Sequence, residues 1–175
     1  MRQLLHRFTR HEGGVAAVEM ALVGGLFIVG AMSAADVGRY AYQTSEVNAA
    51  AQAGAQAALV ACDVAHTPAT INCPGLNAAA TAAIQTTGLA SNITIDGAIT
   101  EGYYCLDMSN ALKQAGPASA APADCSGIAN ANPNAAPTLY LQVPVTYTFQ
   151  PLFPGLTLAQ TFAPAIKRTA WMRMA

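Results

Sequence analysis

Gly13-Gly14-Val15-Ala16-Ala17-Val18-Glu19 follows a basic leader and opens an apolar stretch that reaches Ala35. Glu19 is the one charged residue from Val15 to Ala35. A helix needs about 20 apolar residues to cross a bilayer, so residues 15–35 read as a transmembrane helix. A carboxylate within such a helix costs roughly 2.5–3.5 kcal/mol at the bilayer centre and less toward the ends. Glu19 therefore needs a reason to be there. A cut after Gly14 supplies one. Val15 then carries a new α-amino group, and Glu19 lies four residues further on. Positions i and i+4 share one helix face, so the carboxylate can meet the amine of its own chain or of a neighbour. In a helix that starts at the cut, Glu19 also lies in the first turn, where the macrodipole favours an acid.

Charge orients the span. Arg2, Arg7 and Arg10 stand in the leader against Glu12. From Asp36 to Ala165 there are seven acids and two bases. Basic flanks remain on the cytoplasmic side, which places the N-terminus inside and the remainder outside. A cleaved secretory signal is the competing reading, with Ser33-Ala34-Ala35 as its cut site. Signal peptides have apolar cores of about 7–15 residues, whereas here the run is longer and helical sequence continues beyond Ala35.

The segments Gly14-Val15-Ala16-Ala17-Val18-Glu19 and Asp36-Val37-Gly38-Arg39-Tyr40, with the Ala/Gln-rich helix that follows, resemble the TadE-like (TadE/TadG) pseudopilins of Tad (tight adherence, type IVb) pilus systems. The resemblance is concentrated over residues 10–60. The sequence departs from the family at Met20, where an aromatic is usual, and at Val15. The resemblance implies processing by a prepilin peptidase at Gly14/Val15 and subunit assembly through Glu19. It implies partnership with that peptidase, with other pseudopilins and with the major pilin, in a homo- or hetero-oligomer held by inner-membrane lipid. Adhesion, biofilm formation and secretion are the activities it implies.

The organisation reads as a leader (residues 1–14), the span (15–35), a periplasmic extension of the same helix (36–61) and a periplasmic α+β domain (62–175). Unbroken, the helix would be about 70 Å long. Gly30, Ala34 and Gly38 recur at four-residue spacing and allow close helix approach. Further along, Ser45, Asn48, Gln52 and Gln56 form a polar stripe opposite Val47, Ala50, Ala51, Gly54, Ala57, Ala58 and Ala61. The fold class is α+β and pilin-like: this helix on a small disulfide-bonded antiparallel sheet.

Within the domain, residues 62–75 read as a loop and Asn77–Thr87 as a helix capped by Gly88. Ile93–Glu101 is strand-like with a hairpin turn or bulge at Asp96-Gly97. Asp107–Ala115 reads as a short helix capped by Gly116, and 117–137 as a mobile loop. Thr138–Phe149 alternates with period two, the signature of a half-buried strand. Pro144 removes a ladder donor there and demands a free edge or a bulge. Leu158–Phe162 and Ala165–Met174 complete the sheet, with Trp171 in the core or anchored on a sheet face.

Cys62, Cys73, Cys105 and Cys125 all follow the span, in an oxidising compartment where thiols pair. Of three connectivities, Cys62–Cys73 and Cys105–Cys125 close local loops and are favoured. No C-x-x-C occurs and His66 is the one histidine beyond the leader, which disfavours zinc. No cofactor, metal set, phosphate loop or Ser/His/Asp constellation is legible, and no basic stripe interleaved with aromatics suggests nucleic acid. The chain therefore reads as a structural subunit rather than an enzyme. The alternative function is an uncleaved, membrane-tethered module that recognises a sugar or protein through loop 117–137.

Overall fold

The computed structural model describes residues 13–62, 66–89, 92–156 and 165–174. Two compact units divide it: residues up to Ala41 with Gln150–Pro164, and Tyr42–Phe149 with Ala165–Ala175. Helix α1 runs from Gly13 to Ala61. Short helices α2 (Ala69–Asn72) and α3 (Leu76–Gln85) follow, then β1 (Ile93–Ile95), β2 (Thr100–Leu106), β3 (Leu112–Pro117), β4 (Thr138–Thr148) and β5 (Ala165–Arg173). The fold is α+β, with one five-stranded antiparallel sheet.

In the first unit the apolar part of α1 is long and hydrophobic enough to cross a membrane, and the span is not buried within the protein. Leu22, Leu26, Phe27 and Ile28 are all largely exposed. In a soluble protein so much apolar surface would be a liability; in lipid it is the required exterior.

In the second unit the remainder of α1 lies over the sheet. Val47, Ala50, Ala51, Ala55 and Ala58 are fully buried, while Ser45, Asn48, Gln52 and Gln56 are exposed. The small side chains permit a close approach, and Gly54 shows how close. A Cβ there would lie 2.8 Å from Ile84 Cγ1 and 3.5 Å from Val143 Cγ1. Helix α1, helix α3 and strand β4 therefore converge on a glycine.

Strand β4 organises the sheet. Leu139, Leu141, Val143, Val145 and Tyr147 alternate inward and are buried. β5 pairs along one side of β4, from Tyr140↔Arg173 to Thr148↔Ala165. β1 and β2 share the other side, over Tyr147–Val145 and Gln142–Thr138. Asp96-Gly97 is thus no hairpin turn, since β1 and β2 do not pair with each other. The chain bulges outward at Gly97 (φ +89°) and resumes along the same edge. Pro144 explains the bulge. Its carbonyl accepts from Asp96 N–H at 2.9 Å, but it has no N–H to return to Asp96. The ladder breaks at the one donor that proline withholds.

Because Pro144 points its backbone toward β1, odd-numbered residues of β4 bond to β5. Met174 N–H accordingly donates to Leu139 C=O. Residues 165, 167, 169, 171 and 173 then turn their backbone groups away from β4. No strand covers that edge among the described residues. Arg168 donates to the outward Lys167 carbonyl at 2.9 Å.

Three expectations need correction. Asp107–Ala115 is not a helix: β2 and β3 form a hairpin, with a register shift between Tyr103 and Tyr104. Asn110 adopts φ 61°, which a helix does not tolerate. Gly88 does not cap α3. Thr86 does, and the hydroxyls of Thr86 and Thr87 donate to Ala83 and Ile84 carbonyls at 2.7 Å each. Those bonds satisfy terminal carbonyls without a left-handed glycine. Residues 62–75 contain α2, whose Thr70 donates from N–H and hydroxyl to the Glu101 carboxylate at 3.0 and 3.2 Å. The strand expected at Leu158–Phe162 lies outside the described residues.

Candidate functional site

The candidate processing and assembly residues all lie on α1. The described helix already includes Gly14 and Val15, and Val15 is exposed. Glu19 is exposed one turn further on, among exposed Val18, Met20 and Leu22. No acid falls in the first turn of a helix that begins at Gly13.

Gly30 and Ala34 line an open apolar groove with Leu26, Phe27 and Ala31; Gly38 is not among its lining residues. A Cβ at Gly30 or Gly38 would meet nothing within 4 Å. These small residues thus relieve no crowding inside the described chain. The contrast with Gly54 is direct: there the packing is internal.

Past the span, Asp36 is fully buried, and its Oδ1 accepts from Leu152 N–H at 2.7 Å. Gln43 is buried in the second unit, where its amide donates to the Tyr147 hydroxyl at 3.0 Å. Sequence reasoning assigned no bond to either residue. The available signal was an acid and an amide on the apolar-facing side of a long helix, since buried polar groups call for partners.

The cysteines join as Cys62–Cys73 and Cys105–Cys125, with Cα–Cα distances of 5.8 and 5.9 Å. The first ties the end of α1 to the segment after α2. The second anchors loop 117–137 to β2. Cys105, Cys125 and Ala131 form a small core there, with Ala115, Ile128 and Ala135 packed around it. Beside it, the Asp107 carboxylate accepts from Ser109 N–H, Ser109 hydroxyl and Ala111 N–H at 2.8, 2.6 and 2.9 Å. The Ser109 hydroxyl, with the Ala111 amide next, holds the Asp107 carboxyl below its ordinary value. Asp124 is lowered in the same way by Ser126.

On the outer sheet face Trp171 packs edge-on to Tyr104, centroids 5.0 Å apart, and Tyr140 lies 6.1 Å from Tyr104. The Gln142 amide bonds to the Tyr104 hydroxyl. Trp171 is thus a sheet-face residue, 42% exposed. Among the described residues no three His, Cys, Asp or Glu side chains gather as a metal set.

No curated protein and no solved structure matches the chain. The long helix carries the likeness found: residues 14–56 match the family model of the TadE-like proteins.

Proposed function

We propose that this chain is Tad pilus-related and a minor pseudopilin, a single-pass structural subunit of a type IVb pilus or its secretion apparatus. A prepilin peptidase removes residues 1–14, and the span holds the subunit in the inner membrane with its C-terminal domain in the periplasm. The carboxylate of Glu19 then pairs with the amine of Val15, on its own chain or a neighbour's, and sets the register of assembly with other pseudopilins and the major pilin. Gly30, Ala34 and Gly38 form the close-approach face between helices. Support for pilus biogenesis and adhesion follows from that assembly.

One observation carries the reading: a lone carboxylate, exposed on an apolar helix, five residues after Gly14. Lipid cannot solvate it, so it calls for a cation, which the amine of Val15 would supply after cleavage. Mass spectrometry of the membrane-extracted protein from cells with the peptidase tests this. A mature chain beginning at Val15 is the expected result. A chain retaining residues 1–14 overturns the proposal and leaves an anchored extracytoplasmic domain.

A further inference from the structure

We infer that the loop Gln150–Leu156 is a second membrane contact, inserting its apolar side chains at the lipid headgroup boundary where α1 leaves the bilayer. The inference rests on the reading that residues 15–35 span a membrane. Leu152 N–H is bonded to Asp36, the first residue past that span, at 2.7 Å. One residue is about 1.5 Å of helix. The loop is therefore pinned at the level where hydrocarbon gives way to headgroups, a layer of roughly 5–8 Å on each side.

The loop is built for that layer. Phe153-Pro154-Gly155-Leu156 is a tight turn: Leu156 N–H donates to Phe153 C=O at 3.2 Å, and Gly155 has φ +82°. Proline followed by a positive-φ glycine is the type II pattern, which holds the first and fourth Cα atoms within about 7 Å. Leu152 is 50% and Leu156 64% exposed, beside half-buried Phe153. No charged residue occurs between Asp124 and Lys167, so no ion in the loop opposes its entry into the headgroup layer. Apolar residues on a polar-rimmed support enter the interface with a strength that follows the area they bury.

Asp36 fits the same account. A carboxylate at the rim of the hydrocarbon is costly unless bonded. Leu152 N–H bonds to it, and the carboxylate is fully buried. The acid is the tether of the loop, and its bond to the loop offsets its own desolvation.

Depth-resolved fluorescence tests this on the full chain in vesicles of phosphatidylethanolamine and phosphatidylglycerol at about 3:1. Trp171 is the single tryptophan, so Trp171→Phe provides a silent background. In it, Leu156→Trp, and independently Leu152→Trp, should give a blue-shifted indole quenched by lipids spin-labelled near the headgroup and several-fold less by acrylamide. Phe27→Trp reports the span and should be quenched by deep labels. Adding Asp36→Ala should at least halve lipid quenching of the loop indole and leave that of Phe27→Trp unchanged. If Phe27→Trp is not lipid-quenched, the membrane reading itself fails. If it is, while both loop indoles are quenched by acrylamide, the loop stands in water and the inference is overturned. Loop indoles shielded from both quenchers mean burial against protein, which overturns it equally.

Discussion

Glu19 and Gly54 stand on one helix and answer to different neighbours. Glu19 lies exposed among the apolar side chains Val18, Met20 and Leu22. If its partner is the Val15 amine of an assembling subunit, Glu19→Ala should leave cleavage after Gly14 intact and reduce site-specific crosslinking between subunits several-fold. Crosslinking at the wild-type level would remove Glu19 from assembly. Gly54 meets its own chain: a methyl there would press on Ile84 at under 3 Å. Overpacking of this kind costs about 1–3 kcal/mol. Gly54→Ala should lower Tm of the detergent-extracted protein. Adding Ile84→Ala, which removes the crowded atoms, should cost less than the two single changes summed.

Elements show how backbone chemistry overrides local propensity. In the β2–β3 hairpin, one carboxylate replaces a helical turn. Asp107 gathers three hydrogen bonds and its ionised form is favoured in the folded chain. Its folded pKa is lowered, so its contribution is complete above the ordinary carboxylate value of ~3.9. That contribution is lost as pH falls through the lower, folded value. A carboxyl-carbon NMR titration should place Asp107 below an unbonded Asp, and Ser109→Ala should move it upward. The period-two pattern of Thr138–Phe149 announced β4, because one face is buried and one is not. The long helix was legible from its apolar run, and its buried face from the spacing of Val47, Ala51, Gly54 and Ala58. The hairpin at 107–117 was not, because Ala111, Leu112 and Ala115 suit a helix and the deciding term is a side-chain capture of backbone amides. Nor were the bonds Asp36–Leu152 and Gln43–Tyr147, which join residues more than a hundred positions apart. Spacing carries no information about such pairs. Among the candidate site residues, Glu19 stands out in the sequence because a solitary charge in an apolar run is conspicuous, and the roles of Gly14, Val15 and Glu19 belong to the proposal above.

At the scale of the molecule, the helix side of the second unit's core is built largely from Ala50, Ala51, Ala55 and Ala58, and such an alanine-rich interface buries little area per residue. Covalent staples matter more in such a protein. The two bridges close loops with sequence separations of 11 and 20, each worth about 3 kcal/mol by the chain-entropy model. Reduction under native conditions should lower Tm markedly, and Cys62→Ala with Cys73→Ala should reproduce roughly half the loss. An unchanged Tm would show that packing alone suffices. The open margin of β5 has a consequence of its own. No strand covers it among the described residues, and an edge of that kind, repeated on crowded copies, would invite zipping into fibrils by the wrong surface. Cationic side chains line β5, with Lys167 paired to Asp96 at 2.8 Å, and the guanidinium of Arg168 already occupies an outward carbonyl, devices that blunt a strand edge. An edge blunted in this way would leave the assembly proposed for the helix without a rival on the sheet.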